Sequence, residues 1–144
     1  MCDRSILVCC VAVWGLSSVE FVLRAQPTPS VWDGVSTEPQ AARGATLYEK
    51  ECGQCHGPGG TGGGMAPALV GPSFSANYDG QTVGDLFDRN RTTMPPGKEG
   101  QLNGQENADI TAYVLKVNQF PAGQGELPSQ GMVLKGIQYL AFKP

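Results

Sequence analysis

The chain has 144 residues, among them 20 Gly, 11 Pro, five Cys and one His, and a formal charge of −3. That length suits one domain. The acidic balance argues against a nucleic-acid binder, which presents a basic face, and the Gly residues carry no G-X-Y period, which excludes collagen.

Residues 1–25 read as a secretory signal. Arg4 precedes an apolar run from Ile6 to near Leu16, and Leu23-Arg24-Ala25 ends on a small residue suited to cleavage. The alternative is an uncleaved N-terminal membrane anchor, and only in that form does the chain engage a membrane. Charges in this segment cancel, so the mature chain keeps −3. Cleavage leaves Cys52 and Cys55 as the cysteines, and export places them in an oxidising compartment, the periplasm. Of the 119 residues after Ala25, 29 are Val, Ile, Leu, Met, Phe, Trp or Tyr. That is a thin core, of the kind that a metal, a disulfide or a bound group completes.

Residues 26–36 read as an extended arm with a turn at Trp32-Asp33-Gly34. A helix then starts at Thr37, where Thr37 and Gln40 form a T-x-x-Q capping box and Glu38 and Pro39 sit in the first turn. Ala41, Ala45, Tyr48 and Cys52 follow at i, i+4, i+7 and i+11, one apolar stripe leading to the first cysteine. From Gly53 to Pro72 the chain is almost all loop, with eight Gly and three Pro. A long structureless loop inside a small domain is usually functional or disordered. A second helix spans Val83 to Arg91, capped by Thr82 and Asp85, with Val83, Leu86 and Phe87 on its buried side. It stops before Met94-Pro95-Pro96, since Pro cannot continue a helix. A third helix begins with the capping pair Asn103 and Glu106, carries the stripe Ile110, Tyr113, Val114 and Val117, and ends at Phe120-Pro121-Ala122-Gly123. Residues 122–144 form a tail in which Met132, Leu134, Ile137, Leu140 and Phe142 are available to pack on the body.

The strongest signal is Cys52-Gly53-Gln54-Cys55-His56, a C-x-x-C-H haem-attachment pattern. Two thiols three positions apart can add to the two vinyl groups of one haem as thioethers, and the adjacent His is then placed under the iron as proximal ligand. A thiol redox pair would want a βαβ setting and a reactive thiolate at a helix start, whereas here the pattern lies at a helix end. A structural disulfide would use the same two cysteines. A structural zinc site needs four ligands, and the mature chain offers two Cys and one His crowded together. His56 is the only histidine, so a bis-His haem within this chain is excluded. The sixth ligand is then a Met, another group or nothing. Met65 lies nine residues from His56, a hard span in which to close over the opposite haem face, and Met132 reads as packing in the tail. Met94, 38 residues after His56 and followed by the stiffening Pro95 and Pro96, is the favoured ligand.

Cys52–His56, Met94-Pro95-Pro96 and the helix arrangement together resemble a small bacterial class I c-type cytochrome over residues 37–121. The resemblance implies an all-α fold, about three main helices wrapped around one covalent haem c with long Gly/Pro-rich loops. Ala66-Pro67-Ala68-Leu69-Val70-Gly71 resembles the family's Pro-x-Leu-x-Gly segment, whose Pro carbonyl accepts a hydrogen bond from the proximal His Nδ1–H; Pro67 would fill that role. Gly44, Tyr48 and Tyr113 resemble the contacts where the family's terminal helices cross. Tyr78 stands roughly where several bacterial members have a propionate-binding Trp. Arg89 and Arg91 are candidates to balance propionate charge or are solvated. Leu69, Phe74, Leu86, Phe87 and Met94 are expected to pack around the haem. The arm and tail resemble extensions in cytochromes that accompany exported quinoprotein dehydrogenases.

His/Met ligation saturates the iron and raises its potential. The expected function is therefore electron transfer rather than enzymatic turnover: an exported monohaem cytochrome cycling Fe(III)/Fe(II) by outer-sphere transfer, free or as the cytochrome subunit of a dehydrogenase. Its expected partners are redox proteins, a dehydrogenase donor and an oxidase or another cytochrome as acceptor. The alternative is a haem enzyme or gas sensor with a displaceable sixth ligand, for which no second His is available.

Overall fold

A computed structural model describes residues 27–144; the expected signal segment, residues 1–25, lies outside them. Six helices follow in chain order: α1 (Glu38–Glu51), α2 (Gly53–His56), α3 (Pro72–Tyr78), α4 (Val83–Thr93), α5 (Gly104–Val117) and α6 (Gly131–Leu134). Among the described residues the only β pairing is in isolated bridges, so the all-α expectation holds. No helix among them is long and apolar enough to cross a membrane.

The helix starts follow the capping chemistry. Thr82 and Asp85 cap α4 reciprocally, as do Asn103 and Glu106 at α5. At α1, Thr37 accepts from the Gln40 N–H, but Gln40 does not return the bond. Its side chain instead donates to Leu127 O (3.0 Å) and accepts from Leu127 N–H (2.8 Å). A primary amide carries both a donor and an acceptor, so one buried Gln satisfies both polar groups of a passing backbone residue. α5 stops at Val117, earlier than Phe120, because Gln119 takes up the left-handed conformation (φ 66°). Gln119 N–H then bonds Lys116 O and Phe120 N–H bonds Leu115 O, closing the last turn.

The stretch Gly53–Pro72, expected as almost all loop, holds α2 and a short 3-10 turn at Pro58–Gly60. Helix α3 had no sequence expectation. It has seven residues, too few for a full amphipathic period, and its signals were Pro72 at its first position and the i, i+4 pair Phe74 and Tyr78.

The close approach of α1 and α5 sets the architecture. A Cβ built on Gly44 would lie 1.8 Å from Asp109 O and 3.0 Å from Tyr113 Cβ. Only glycine lets the two backbones touch there. Four residues on, Tyr48 packs against Tyr113 with ring centroids 5.0 Å apart. On the outer side Arg43 forks onto both oxygens of Asp109 (2.9 and 3.0 Å) and onto both oxygens of Glu126 (2.8 and 3.0 Å). Burial pushes the Asp109 carboxyl up, yet hydrogen bonds from Arg43 and Gln105 outweigh it and hold it below the ordinary carboxylate value.

Arm and tail supply the core that the helices lack. Val31, Leu127, Leu134 and Tyr139 are fully enclosed and join Phe74, Val83, Leu86, Phe87 and Leu115 in one cluster. The tail is threaded between arm and body. Gln138 pairs with Pro29 and Val31, and its neighbours Ile137 and Tyr139 pair with Val83 and Gln81. Trp32 donates its indole N–H to Leu140 O (3.0 Å) and meets Phe120 edge-on. The arm is thus no simple extended strand: Ser30 and Asp33 cap a 3-10 turn over Val31–Asp33. Two tail expectations fail. Met132 and Phe142 are 79% and 82% exposed, whereas Leu134 and Tyr139 do the packing. Phe87 is enclosed by protein alone, against the backbone of Gly131, so it is not waiting on a cofactor for burial.

Gly44→Ala is expected to cost about 3 kcal/mol in denaturant unfolding, at the upper end for overpacking because backbone meets backbone. That exceeds the ~1 kcal/mol that Ala gains in helix propensity. Asp109 adds a pH signature. Its folded pKa is depressed, so its contribution is complete above the unfolded carboxylate pKa and is lost as pH falls through the folded value. Thermal melts from about pH 2 to pH 7 should show wild type more stable than Asp109→Asn near neutrality, with the gap closing in acid.

Candidate haem site

The last turn of α1 delivers Cys52, whose N–H bonds Tyr48 O at 2.8 Å. The chain leaves helical geometry at Cys52 (φ −122°, ψ −32°) and turns at once into α2. Cys55 N–H and His56 N–H both return to Cys52 O, at 3.1 and 3.0 Å. This single turn stacks Cys52 and Cys55, three apart, on one side and swings His56 inward, where it is 8% exposed. Both thiols are free and half-buried. Burial, then the charges of Glu51 and Cys55, push the Cys52 thiol up to about 11. A thiol held in its neutral form is a poor exchange nucleophile, which counts against the dithiol reading.

His56 Nδ1 lies 2.7 Å from Pro67 O. A carbonyl only accepts, so Nδ1 carries the proton and donates, and Nε2 keeps the free lone pair. This is the pairing expected of Pro67 from the family resemblance. The Gly-rich loop between them is folded back on itself. Gly62 N–H bonds His56 O, Gly63 N–H bonds Ala66 O, and Leu69 N–H bonds Gly60 O. Gly57 has φ +76°, and a Cβ there would meet Gly62 O at 2.3 Å, so a side chain would open the fold-back.

Two side chains brace this loop from the helices. Tyr48, fully buried on α1, donates its hydroxyl to Gly57 O at 2.8 Å, and burial keeps the phenol protonated by pushing it up to about 12. Asn118, just past α5, donates to Leu69 O (2.8 Å) and Val114 O (2.9 Å) and accepts from Gly71 N–H (3.1 Å). Sequence reasoning gave Asn118 no role. Its signal was an Asn at the end of the strongest helix, which side-chain capping alone would also explain.

The remaining residues of the predicted set come from other elements. Leu69 is half-buried against the core cluster. Tyr78 ends α3, with its ring 5.0 Å from Phe74 and 5.7 Å from Tyr139. Burial raises its phenol, partly offset by Arg89. Met94 caps the C-terminus of α4 in extended geometry, half-buried, its N–H bonded to Asn90 O at 3.1 Å. The structure thus brings Cys52, Cys55 and His56 together at the junction of α1 and α2, holds Pro67 and Leu69 beside them on the fold-back loop, and places Tyr78 at the end of α3 and Met94 at the end of α4. Met65 projects from the loop, 71% exposed. Arg91 faces Asp88 at 3.9 Å, and Arg89 is exposed.

These residues fit a covalently held haem. Two adjacent free thiols suit thioether attachment to the two vinyl groups, and an imidazole with Nε2 available and a thioether sulfur are donors of the kind that ligate haem iron. The side-chain nitrogen of Asn90, one turn before Met94, is buried with no partner among the described residues. A family model described as cytochrome c oxidase, cbb3-type, subunit III, matches residues 39–114, more than half of the chain. The chain belongs to this cytochrome c family. Its cofactor is haem c, covalently attached through the C-x-x-C-H region.

Two curated relatives of the cytochrome carry the same name, cytochrome bc1 complex cytochrome c subunit. The protein from Corynebacterium diphtheriae is 27% identical over 106 residues, and that from Corynebacterium efficiens is 26% identical over 109. The matches cover 73% and 75% of this cytochrome but 37% and 36% of those proteins, so the chain spans about a third of their length. Among solved structures it is similar to the sulfane dehydrogenase SoxCD from Paracoccus pantotrophus. The TM-score is 0.50 at 21% identity, over 80% of this chain and 62% of that one, a likeness of fold alone.

Asn118→Ala removes the partners of Leu69 O and Gly71 N–H together. The cytochrome should lose about 2 kcal/mol in denaturant unfolding, the cost of two part-buried groups left unpaired, while its haem stays attached.

Proposed function

We propose that this chain is an exported monohaem electron carrier, free or as the cytochrome subunit of a dehydrogenase, with residues 37–121 as its haem-binding unit. The observation that carries the reading is the 2.7 Å contact between His56 Nδ1 and Pro67 O. It supports a ring that donates from Nδ1, which would leave Nε2 as the ligating nitrogen and make the ring a stronger donor.

Bound haem c supplies a one-electron Fe(III)/Fe(II) couple. The chain's residues do the rest. Cys52 and Cys55 would tether the group through two thioether bonds. His56 Nε2 and Met94 Sδ would ligate the iron. An iron held by both side chains would need little ligand movement between its redox states, which suits outer-sphere transfer. Tyr78 would donate its hydroxyl to a propionate, and Leu69, Leu86 and Met94 would line the group with apolar surface that lowers the local dielectric.

Redox proteins are the partners this reading requires. The names of the relatives and of the structural neighbour, a bc1 complex subunit and a dehydrogenase, support that class. A charge of −3 favours a neutral or basic docking patch and an on-rate that falls with salt. The apolar run in residues 1–25 supports export to the periplasm, with the segment cleaved or kept as an anchor.

Optical spectra of the purified holoprotein test this directly. A sharp low-spin c-haem spectrum is expected, with the weak long-wavelength band of an iron–methionine sulfur bond in the oxidised form. Met94→Ala should abolish that band, let the reduced form bind CO at once, and lower the potential by on the order of a few hundred millivolts, inside the ~0.8 V that axial ligation spans. A wild-type protein that is high-spin and binds CO immediately would overturn Met94 as ligand and favour a sensor or enzyme.

A further inference from the structure

Helix α4 presents two different sides. Gly84, Phe87, Asp88 and Arg91 face the tail. A Cβ on Gly84 would strike the Lys135 backbone at 2.6 Å, Gly131 lies against Phe87 and Asp88, and Lys135 pairs with Asp88 at 3.4 Å. Leu86, Asn90 and Met94 recur at i, i+4 and i+8 on the side turned away from α6. Asn90 is the only polar residue of that row. Its side-chain nitrogen is buried and pairs with nothing among the described residues.

Buried amide N–H groups are almost always paired, and an exception calls for an acceptor. One other buried polar side-chain atom is unpaired there, Asn107 Oδ1, but Asn107 has a role: its nitrogen donates to Leu102 O and Asn103 O, both at 2.9 Å, and fastens the chain entering α5. Asn90 fastens nothing. The other possible acceptor on that row, the Met94 thioether, is a weak one, and it already stands at the end of α4 without pairing with Asn90. The missing acceptor is therefore one that arrives with the cofactor. The four ring nitrogens of a haem are taken up by its iron, and its two thioether sulfurs accept weakly. Its propionate carboxylates are its strong acceptors, and an amide donating to an ionised oxygen makes a short, strengthened bond.

We infer that Asn90 donates its buried side-chain N–H to a propionate carboxylate of the bound haem, and so orients the group from the helix that carries Met94. The inference rests on the haem reading above. It makes Asn90 a positioning residue.

The test uses the holoprotein, with haem carrying 13C-labelled propionate carboxylates. Redox-difference infrared spectra are compared for wild type and Asn90→Leu, which keeps the branching of the side chain and removes the donor. The labelled carboxylate band should shift in the variant, while the iron–methionine band stays in place. A shift of the iron–methionine band with the carboxylate band unmoved would overturn the inference in favour of a bond to Met94 Sδ. No change in either band overturns it as well. Wild type gives the same answer should the variant fail to fold. In the diamagnetic reduced protein the Asn90 side-chain amide protons should show cross-relaxation to propionate methylene protons, and contacts to the Met94 methyl alone would overturn the inference. Protein purified without covalent haem would sink the parent reading, whereas attached haem with an intact iron–methionine band and an unmoved carboxylate would sink only the role of Asn90.

Discussion

The backbone contact between α1 and α5 at Gly44 is the constraint on which the other features depend. With 1.8 Å between a notional Cβ and Asp109 O, no larger residue is compatible with this crossing. Such an approach fixes both helices in depth and rotation. The consequences appear at their C-terminal ends. One end delivers Cys52 and the C-x-x-C-H turn, and the other delivers Asn118. Both then act on the same loop, Tyr48 through Gly57 and Asn118 through Leu69 and Gly71. The crossing thus sets where Pro67 O stands, and hence how the His56 ring is held.

The loop between Gly57 and Gly71 illustrates how glycine serves order. Its backbone groups pair with one another across short spans, which requires close approach and, at Gly57, a positive φ. A side chain would separate the strands of the fold-back and leave carbonyls unpaired beside a group that must stay dry. On the proposed function, rigidity here would serve electron transfer, because a ligating ring held in one tautomer and one orientation need not reorganise when the charge on the iron changes.

The tail and the arm answer the shortage of large apolar residues. Leu127, Leu134 and Tyr139 enter the core from after α5, and Val31 enters it from before α1. Polar clamps then hold those segments in place: Gln40 on Leu127, Arg43 on Glu126, and Trp32 on Leu140. Much of the enclosure expected of the cofactor, around Phe87 in particular, is provided by protein. On the proposed function, the surface left for the cofactor would lie along Met94 of α4 and beside His56 and Leu69.

The sequence by itself determined the haem-attachment turn and the starts of α1, α4 and α5, and the family resemblance that those motifs carry supplied the all-α class and the Pro67 partner of His56. Each is a local matter, in which residues a few positions apart react with one group, cap one helix or repeat on one face. Tertiary structure decided the rest. Gln40 reads as a capping residue until Leu127 passes beside it, 87 positions later. Asn118 reads as a helix end until the loop after Pro67 comes to meet it. Leu134 and Tyr139 pack while Met132 and Phe142 do not, a choice made by the path of the tail over α4 and not by hydrophobicity, which the four share. Local chemistry depends on spacing along the chain and can be read from it. The partner of a buried amide or an apolar ring depends on which distant segment reaches it, and that is settled only when the helices pack.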